Sequence, residues 1–403
     1  MVSNKYSTKS PDDIVITLAL RTPLCRSFKG GLKDTSNVEL QIALYKSIIP
    51  ELGFDPSLVQ DIAVGQVQPP YDNNDSRPAA IAGGFPVTTP VISINRQCSS
   101  GLMAVKTVAD NIKSGAIDIG LAVGSESIST HSHMSPYPLP EDVMNHPVAR
   151  DCYPPQSWTT ENVAKEFNIS RESMDRWALE SHTRASKSAK QGLFKEEIVP
   201  IQAYKKVDES KREKVILTED DGVRHGTTYE GLARIRPAFK DYPPHHATGG
   251  NSSQITDGAA AVVLMRRSKA AELGLKVLGR YVTATTTGHE PRLMPIGPIY
   301  SIPRLLSLVG LTIDDIEVFE INEAFASMMV YTINKLGLDP ARVNPRGGAI
   351  ALGHPFGCTG VRQIVTGLAE MRSRKFTRKS PYLVTAMCIG QGMGAASLII
   401  DED

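Results

Sequence analysis

The sequence predicts an α/β protein built from two repeated halves with an insertion between them. Three observations carry this reading. Short β-branched runs alternate along the chain with longer stretches of helical apolar spacing, which is the signature of layered sheets and helices. The order of those runs in the first half returns from about residue 276. Between residues 128 and 255 the rhythm breaks into Pro-rich loops (Pro136, Pro138, Pro140, Pro147, Pro154, Pro155), polar segments and a mixed-charge helix around 171–192.

The elements follow in chain order. Residues 13–20 (DIVITLAL) read as the first buried strand, followed by a helix and by a strand ending at Gly65. VISI (91–94) is a further strand; after Cys98, Leu102, Val105, Ala109 and Ile112 fall at helical spacing and predict a helix over 101–113. IDIGLAV (117–123) closes the first half at Gly124. The second half repeats the series: VLGRYVTAT, a helix over 301–309, the strand IEVFEI (316–321), and the turn VNPRGG. Next comes a helix over 360–374, with Val361, Ile364, Val365, Leu368 and Met371 on one face, then the strands YLVTAM (382–387) and ASLII (396–400). The expected division is an N-terminal half of residues 1–127 and 256–278, an insertion of residues 128–255, and a C-terminal half of residues 279–403.

Composition narrows the function. The 403 residues exceed what one core serves, and 41% hydrophobic with 22% charged residues is ordinary for a globular chain. With 44 basic against 43 acidic residues and no basic stripe, nucleic acid is not an expected partner. No apolar run reaches the roughly 20 residues that span a bilayer. The cysteines (Cys25, Cys98, Cys152, Cys358, Cys388) are odd in number and scattered, which suits free thiols and neither disulfides nor a metal site. The sequons at Asn74, Asn168 and Asn251 then read as accidental.

Candidate chemistry gathers where strands end. Cys98 stands between an apolar strand and a helix, where unpaired N–H groups favour a thiolate, and the small residues after it leave room for close approach. His354 lies between Gly353 and Pro355 in a glycine-dense loop before a helix and is a candidate base; the other eight histidines receive no catalytic role. Cys388 opens CIGQGMG, whose glycines lead into a strand instead of a helix, so a dinucleotide loop is excluded and a second thiol among backbone donors remains. Asn322, after IEVFEI, can orient a water or a carbonyl.

The phrases NRQCSSGL, RHGTTYEGLARIRPAF, GGNSSQITDGAAA, FEINEAFAS, VNPRGGAIALGHPFGCTG and MCIGQGMGAA, in this order, make the sequence resemble the thiolases, above all the degradative 3-ketoacyl-CoA thiolases of peroxisomal type. The resemblance implies two βαβαβαββ halves in a five-layered α-β-α-β-α core with a CoA-binding loop domain. It implies an acyltransferase that cleaves 3-ketoacyl-CoA with CoA, reversibly, through an acyl-enzyme. Cys98 would be the nucleophile, His354 its base and Cys388 the acid/base at the α-carbon. Asn322 would hold a water that forms one oxyanion site with His354, and the Cys98 and Gly390 N–H groups would form the other. For CoA the matching positions are Arg224 near the adenine and phosphates, Gly231 and Phe239 along the nucleotide, and Gly249, Ser252, Ser253 and Ile255 along the pantetheine. No cofactor is expected to be held permanently, CoA and acyl-CoA being substrates, and a homodimer or homotetramer is implied.

The chain departs from the family at Gln156-Ser157-Trp158, where Met-Gly is usual, at the Pro- and Asn-rich loop 67–74, and at Gln391. Because the catalytic residues lie on other segments, the first departure is expected to shift chain-length preference more than the reaction on acetoacetyl-CoA. The alternatives are a biosynthetic condensing thiolase, a decarboxylating ketosynthase, which needs no second thiol, and a non-catalytic acyl-CoA or lipid carrier, against which Cys98, His354 and Cys388 all speak. About a dozen residues precede the first strand and the C-terminus reads SLIIDED, so no targeting signal is visible and cytoplasmic residence is the default expectation, with a peroxisome as the option the family suggests.

Overall fold

A computed structural model of the chain describes residues 6, 8–68, 75–131, 139–153, 155–374, 377 and 379–402. Asn74, His133, Pro136, Pro138, Pro154 and residues 69–74 of the Pro- and Asn-rich loop lie outside them. Among the described residues, ten strands form one sheet whose two halves repeat the same pairing.

In the N-terminal half Ile14–Arg21 runs antiparallel to Thr256–Arg266, which runs antiparallel to Ile119–Glu126. Asp61–Gly65 then adds in parallel, and Val91–Ile94 follows in parallel at the edge. In the C-terminal half Gly279–Gly288 runs antiparallel to Met393–Asp401, and that strand antiparallel to Tyr382–Ile389. Val318–Ile321 adds in parallel, and a parallel bridge from Phe319 to Val343 stands where the repeat requires its fifth strand. The half-sheets meet over Ile14–Ile16 and Gly279–Tyr281. The repeat therefore makes Asn322, just after Val318–Ile321, the counterpart of Gln66, just after Asp61–Gly65.

The strand Thr256–Arg266 was not expected as a strand. It is buried on both faces, and its Gly258-Ala259-Ala260-Ala261 stretch, after Thr256 and Asp257, shows no alternation, so the signal of a half-buried strand is missing. The hairpin Ile201–Lys206 with Arg212–Leu217 lies inside the insertion, where the sequence predicts only polar segments.

Apolar spacing decides the layers. Leu102, Val105 and Ile112 of the helix Ser100–Ser114 and Val361, Ile364 and Leu368 of the helix Phe356–Ser373 are fully buried between the half-sheets. Each such side chain contributes roughly 1.5–3 kcal/mol of burial. The two helices touch at their first turns: a Cβ on Gly101 would lie 2.4 Å from the Gly357 carbonyl oxygen. Outside, the helix Asn37–Ile48, started by a reciprocal Ser36–Glu39 capping box, covers the N-terminal half-sheet. Pro298–Val309 and Ala326–Leu336 cover the other. Helix, sheet, helix, sheet, helix is the five-layered order expected.

The insertion is tied down by charge. Arg21, at the end of the first strand and fully buried, pairs with Glu197 at 2.8 Å and with Asp220 at 2.7 Å. Removing one member of such a buried group costs about 3–5 kcal/mol, because the charge left behind is unpaired. The helix Arg171–Lys190 buries Met174, Trp177 and Ala178 against the C-terminal half.

Candidate active site

Cys98 and Asn322 stand just past strand ends, Cys388 lies next to the last residue of its strand, and His354 follows the short helix Ala349–Leu352. After Val91–Ile94, Asn95 Oδ1 accepts the Gln97 N–H at 3.0 Å. Ser100 Oγ donates to the Gln97 carbonyl at 2.6 Å and accepts the Arg96 N–H at 2.9 Å. Gln97 is left-handed, with φ 46°, and Cys98 is presented partly exposed ahead of the helix Ser100–Ser114. The expected thiolate is not the resting state. Loss of hydration pushes the Cys98 thiol up to about 11, against the N–H groups of Gly390 and Cys98 itself that pull it down. The helix start moderates a shift that burial dominates.

His354 is fixed through its neighbour. Gly353 has φ 106°, and a Cβ there would lie 2.0 Å from Thr256 Oγ1, so only glycine fits. The His354 N–H donates to the Gln254 carbonyl at 3.0 Å and to Thr256 Oγ1 at 3.2 Å. Nδ1 lies 2.6 Å from Thr359 Oγ1, whose own proton goes to the Pro355 carbonyl at 3.3 Å. Nδ1 is therefore the donor, and Nε2, 3.3 Å from the Asn322 amide nitrogen, is the acceptor. Burial, with Arg362 adding, holds the imidazole down to about 3, so it rests neutral. Among the described residues Asn322 Oδ1 is buried with no hydrogen-bond partner.

Cys388 lies near the end of Tyr382–Ile389, opposite Gly394. Its thiol is driven well above the ordinary value by burial, with the facing Cys98 adding. The Gly390 N–H points at the Cys98 sulfur. Gln391 and Gly392 follow with φ 70° and 84°. The Gln391 N–H donates to Gln156 Oε1 at 2.9 Å, while Gln156 Nε2 donates to the Cys152 carbonyl at 3.0 Å. Gln156 lies on a different segment from the catalytic residues, yet its side chain crosses from the insertion to the second-cysteine turn.

Of the CoA positions, Arg224 is exposed in a cleft of about 460 Å³ shared with His182, Lys187 and Lys190. Gly231 is exposed in the helix Tyr229–Ala233, and Phe239 packs on the C-terminal core. Gly249 is exposed with open space where a Cβ would be. Ser252 bridges to Phe325, the Ser253 N–H donates to the Ala324 carbonyl at 3.0 Å, and Ile255 is 57% exposed. Ser252 and Ser253 thus run beside the Asn322 loop. Among the described residues no hydrogen bond joins Arg224, Gly231 or Phe239 to that path.

Sequence reasoning missed three supporting residues. Thr359 sets the imidazole tautomer, and Gln254 donates its amide to the carbonyls of Gly222, Ile350 and Ala351 at 3.0, 3.2 and 2.8 Å. Glu126 accepts the N–H groups of Val67, Gln68 and Gly357 at 3.0, 2.9 and 2.9 Å, binding both halves together, and burial pushes its carboxyl up to about 7. An acidic residue at the end of a wholly buried strand was the available signal. Among the described residues no His, Cys, Asp and Glu side chains group to hold a metal, and no helix is long and apolar enough to cross a membrane.

Known proteins share the sequence and fold of this chain. Residues 14–268 match the family described as thiolase, N-terminal domain, and residues 275–401 the thiolase, C-terminal domain. The peroxisomal 3-ketoacyl-CoA thiolase B of Rattus norvegicus is 46% identical over 394 residues, covering 98% of this chain and 92% of that protein. The structure of the dimeric peroxisomal thiolase of Saccharomyces cerevisiae superimposes with a TM-score of 0.91 at 42% identity, covering 99% of this chain and 100% of that one. A second structure of the peroxisomal 3-ketoacyl-CoA thiolase from that yeast, described as five-layered with two core domains of identical topology, gives 0.80 at 38% identity, covering 98% and 99%.

Proposed function

The chain belongs to the thiolase family, and from that premise we propose how its residues divide the chemistry. It is a 3-ketoacyl-CoA thiolase, an acyltransferase with the five-layered thiolase fold, and its substrates are CoA thioesters. The observation that carries the assignment of roles is that Cys388 and the Gly390 N–H lie against Cys98, and Asn322 against His354, on segments that leave three strand ends and one short helix.

In the cleavage direction Cys98 Sγ attacks C3 of the 3-ketoacyl-CoA, and its proton passes to His354 Nε2 as the carbon–sulfur bond forms. Since both the thiol and the imidazole rest neutral, the transfer is concerted with attack. The C3 oxyanion faces the N–H groups of Cys98 and Gly390. When the C2–C3 bond breaks, the enolate oxygen of the departing acetyl-CoA is met by the protonated His354 Nε2 and by a water on the unpartnered Asn322 carboxamide oxygen. Cys388 gives its proton to C2. CoA then enters, its thiol proton goes to the Cys388 thiolate, and its sulfur takes the acyl group. Cys98 leaves as thiolate and recovers its proton from His354. Run in reverse, the same steps make a Claisen condensation.

Arg224, Gly231 and Phe239 are assigned to the nucleotide of CoA, and Gly249, Ser252, Ser253 and Ile255 to its pantetheine arm. The segment 249–255 supports this, since it leads to the His354 loop through the Gln254 contacts. The division into residues 1–127 with 256–278, 128–255 and 279–403 rests on the repeated strand pairing, in which Thr256–Arg266 belongs to the first half-sheet. The dimeric yeast relative supports a homodimer. Peroxisomal names among the relatives support peroxisomal residence, and nothing among them supports the cytoplasmic default.

The test is covalent. With acyl-CoA and no free CoA, the intact protein should gain one acyl mass on Cys98, and Cys98→Ala should abolish it. Acyl mass on Cys388 would reverse the two cysteine roles.

A further inference from the structure

We propose that Gln156 is a positioning residue for the reaction: by accepting the Gln391 N–H, its carboxamide fixes the Gly390–Gly392 turn and keeps the Gly390 N–H aimed at Cys98. The inference rests on the roles of Cys98 and Gly390 given above.

Two successive left-handed residues leave this turn strained at Gln391, where a non-glycine side chain adopts φ 70°. Such a turn needs an outside partner to hold one geometry, and the Gln156 Oε1 contact at 2.9 Å supplies it. Gln156 is itself held. Its Nε2 is taken by the Cys152 carbonyl at 3.0 Å, and its own carbonyl accepts the Thr159 hydroxyl. Two residues on, Trp158 stacks on Tyr242 with centroids 5.1 Å apart and planes at 25°, and the Tyr242 hydroxyl donates to Asn162 Oδ1 at 2.9 Å. The insertion thus presents a braced acceptor to a catalytic turn of the C-terminal half. A methionine, the residue the family pattern leads one to expect here, has a thioether that is too weak an acceptor for this work. The departures at Gln156 and Gln391 become one device, a side chain at one position answering a backbone group at the other.

The consequence is kinetic. A donor moved by even an ångström loses much of its value to the transition state, so Gln156→Met should lower kcat on acetoacetyl-CoA about tenfold, with KM within about twofold. Short and long 3-ketoacyl-CoAs should be affected alike. Because the Gly390 N–H also favours the Cys98 thiolate, the pH profile of Cys98 alkylation by iodoacetamide should move to higher pH in the variant. Gln156→Leu, which fills the site without any acceptor, should lose at least as much kcat as Gln156→Met. Wild-type kcat and an unmoved alkylation profile in Gln156→Met overturn the proposal. A change confined to long chains also overturns it, and makes Gln156 a pocket wall. Cys98→Ala is assayed alongside. If that variant still accepts acyl groups, the nucleophile assignment fails; if it is inert while Gln156→Met matches wild type, only the role of Gln156 fails.

Discussion

Cys98 and His354 make a pair that rests without charge, and that sets the pH behaviour of the free enzyme. The Cys98 thiol is raised to about 11, so the thiolate is the minor form throughout the neutral range and grows about tenfold with each pH unit. Alkylation by iodoacetamide, followed by mass on Cys98, should therefore climb steadily from pH 7 to pH 9 without a plateau. A plateau reached below pH 8 would mean that a thiolate already stands in the resting site. The residue types of this site were legible because each lies in a phrase with little freedom, such as Gly353-His354-Pro355. The protonation states were not legible, because a helix start that favours thiolate can be read from sequence while the loss of water around the sulfur arises only when both halves close over it.

At the scale of elements, the two central helices bring the reacting groups together, and their contact tolerates no extra atom. A Cβ on Gly101 would meet the Gly357 carbonyl at 2.4 Å, and neither group is a flexible side-chain end. Gly101→Ala should cost about 1–3 kcal/mol and separate the first turns that carry Cys98 and His354. Circular dichroism should record a melting temperature lower by several degrees, and thiolysis a much lower kcat; a variant that melts and turns over like wild type would refute this packing. The strands and helices with clear periodicity stood where the sequence placed them, among them Val91–Ile94 and the helices Ser100–Ser114 and Phe356–Ser373. What escaped was Thr256–Arg266, whose small residues are set by neighbours on both faces, and the bond from Gln156 to Gln391, which joins positions 235 residues apart.

For the whole molecule, the exposed end of the sheet matters most. Val91–Ile94 is its last strand, Ile92 is 46% exposed, and no charged residue or proline within the strand blunts the edge. Such an edge is stable when another copy covers it. Light scattering of Ile92→Lys should show a species near 43.7 kDa in place of a dimer, with activity reduced because the Cys98 turn continues directly from this strand. A dimer that persists in Ile92→Lys would move the interface elsewhere. The middle of the same half-sheet has its own consequence, for the order in which the chain can be made. Ile14–Arg21 and Ile119–Glu126 both pair with Thr256–Arg266, so a ribosome that has released the first 127 residues has delivered two central strands without the one that lies between them. Both must wait, with open backbone edges, until some 130 further residues have emerged, which at roughly 5–20 residues per second is a delay of many seconds. The nascent chain is most prone to stick to others during that interval, and a fragment stopped at residue 255 should be insoluble although it carries the nucleophile and the whole insertion.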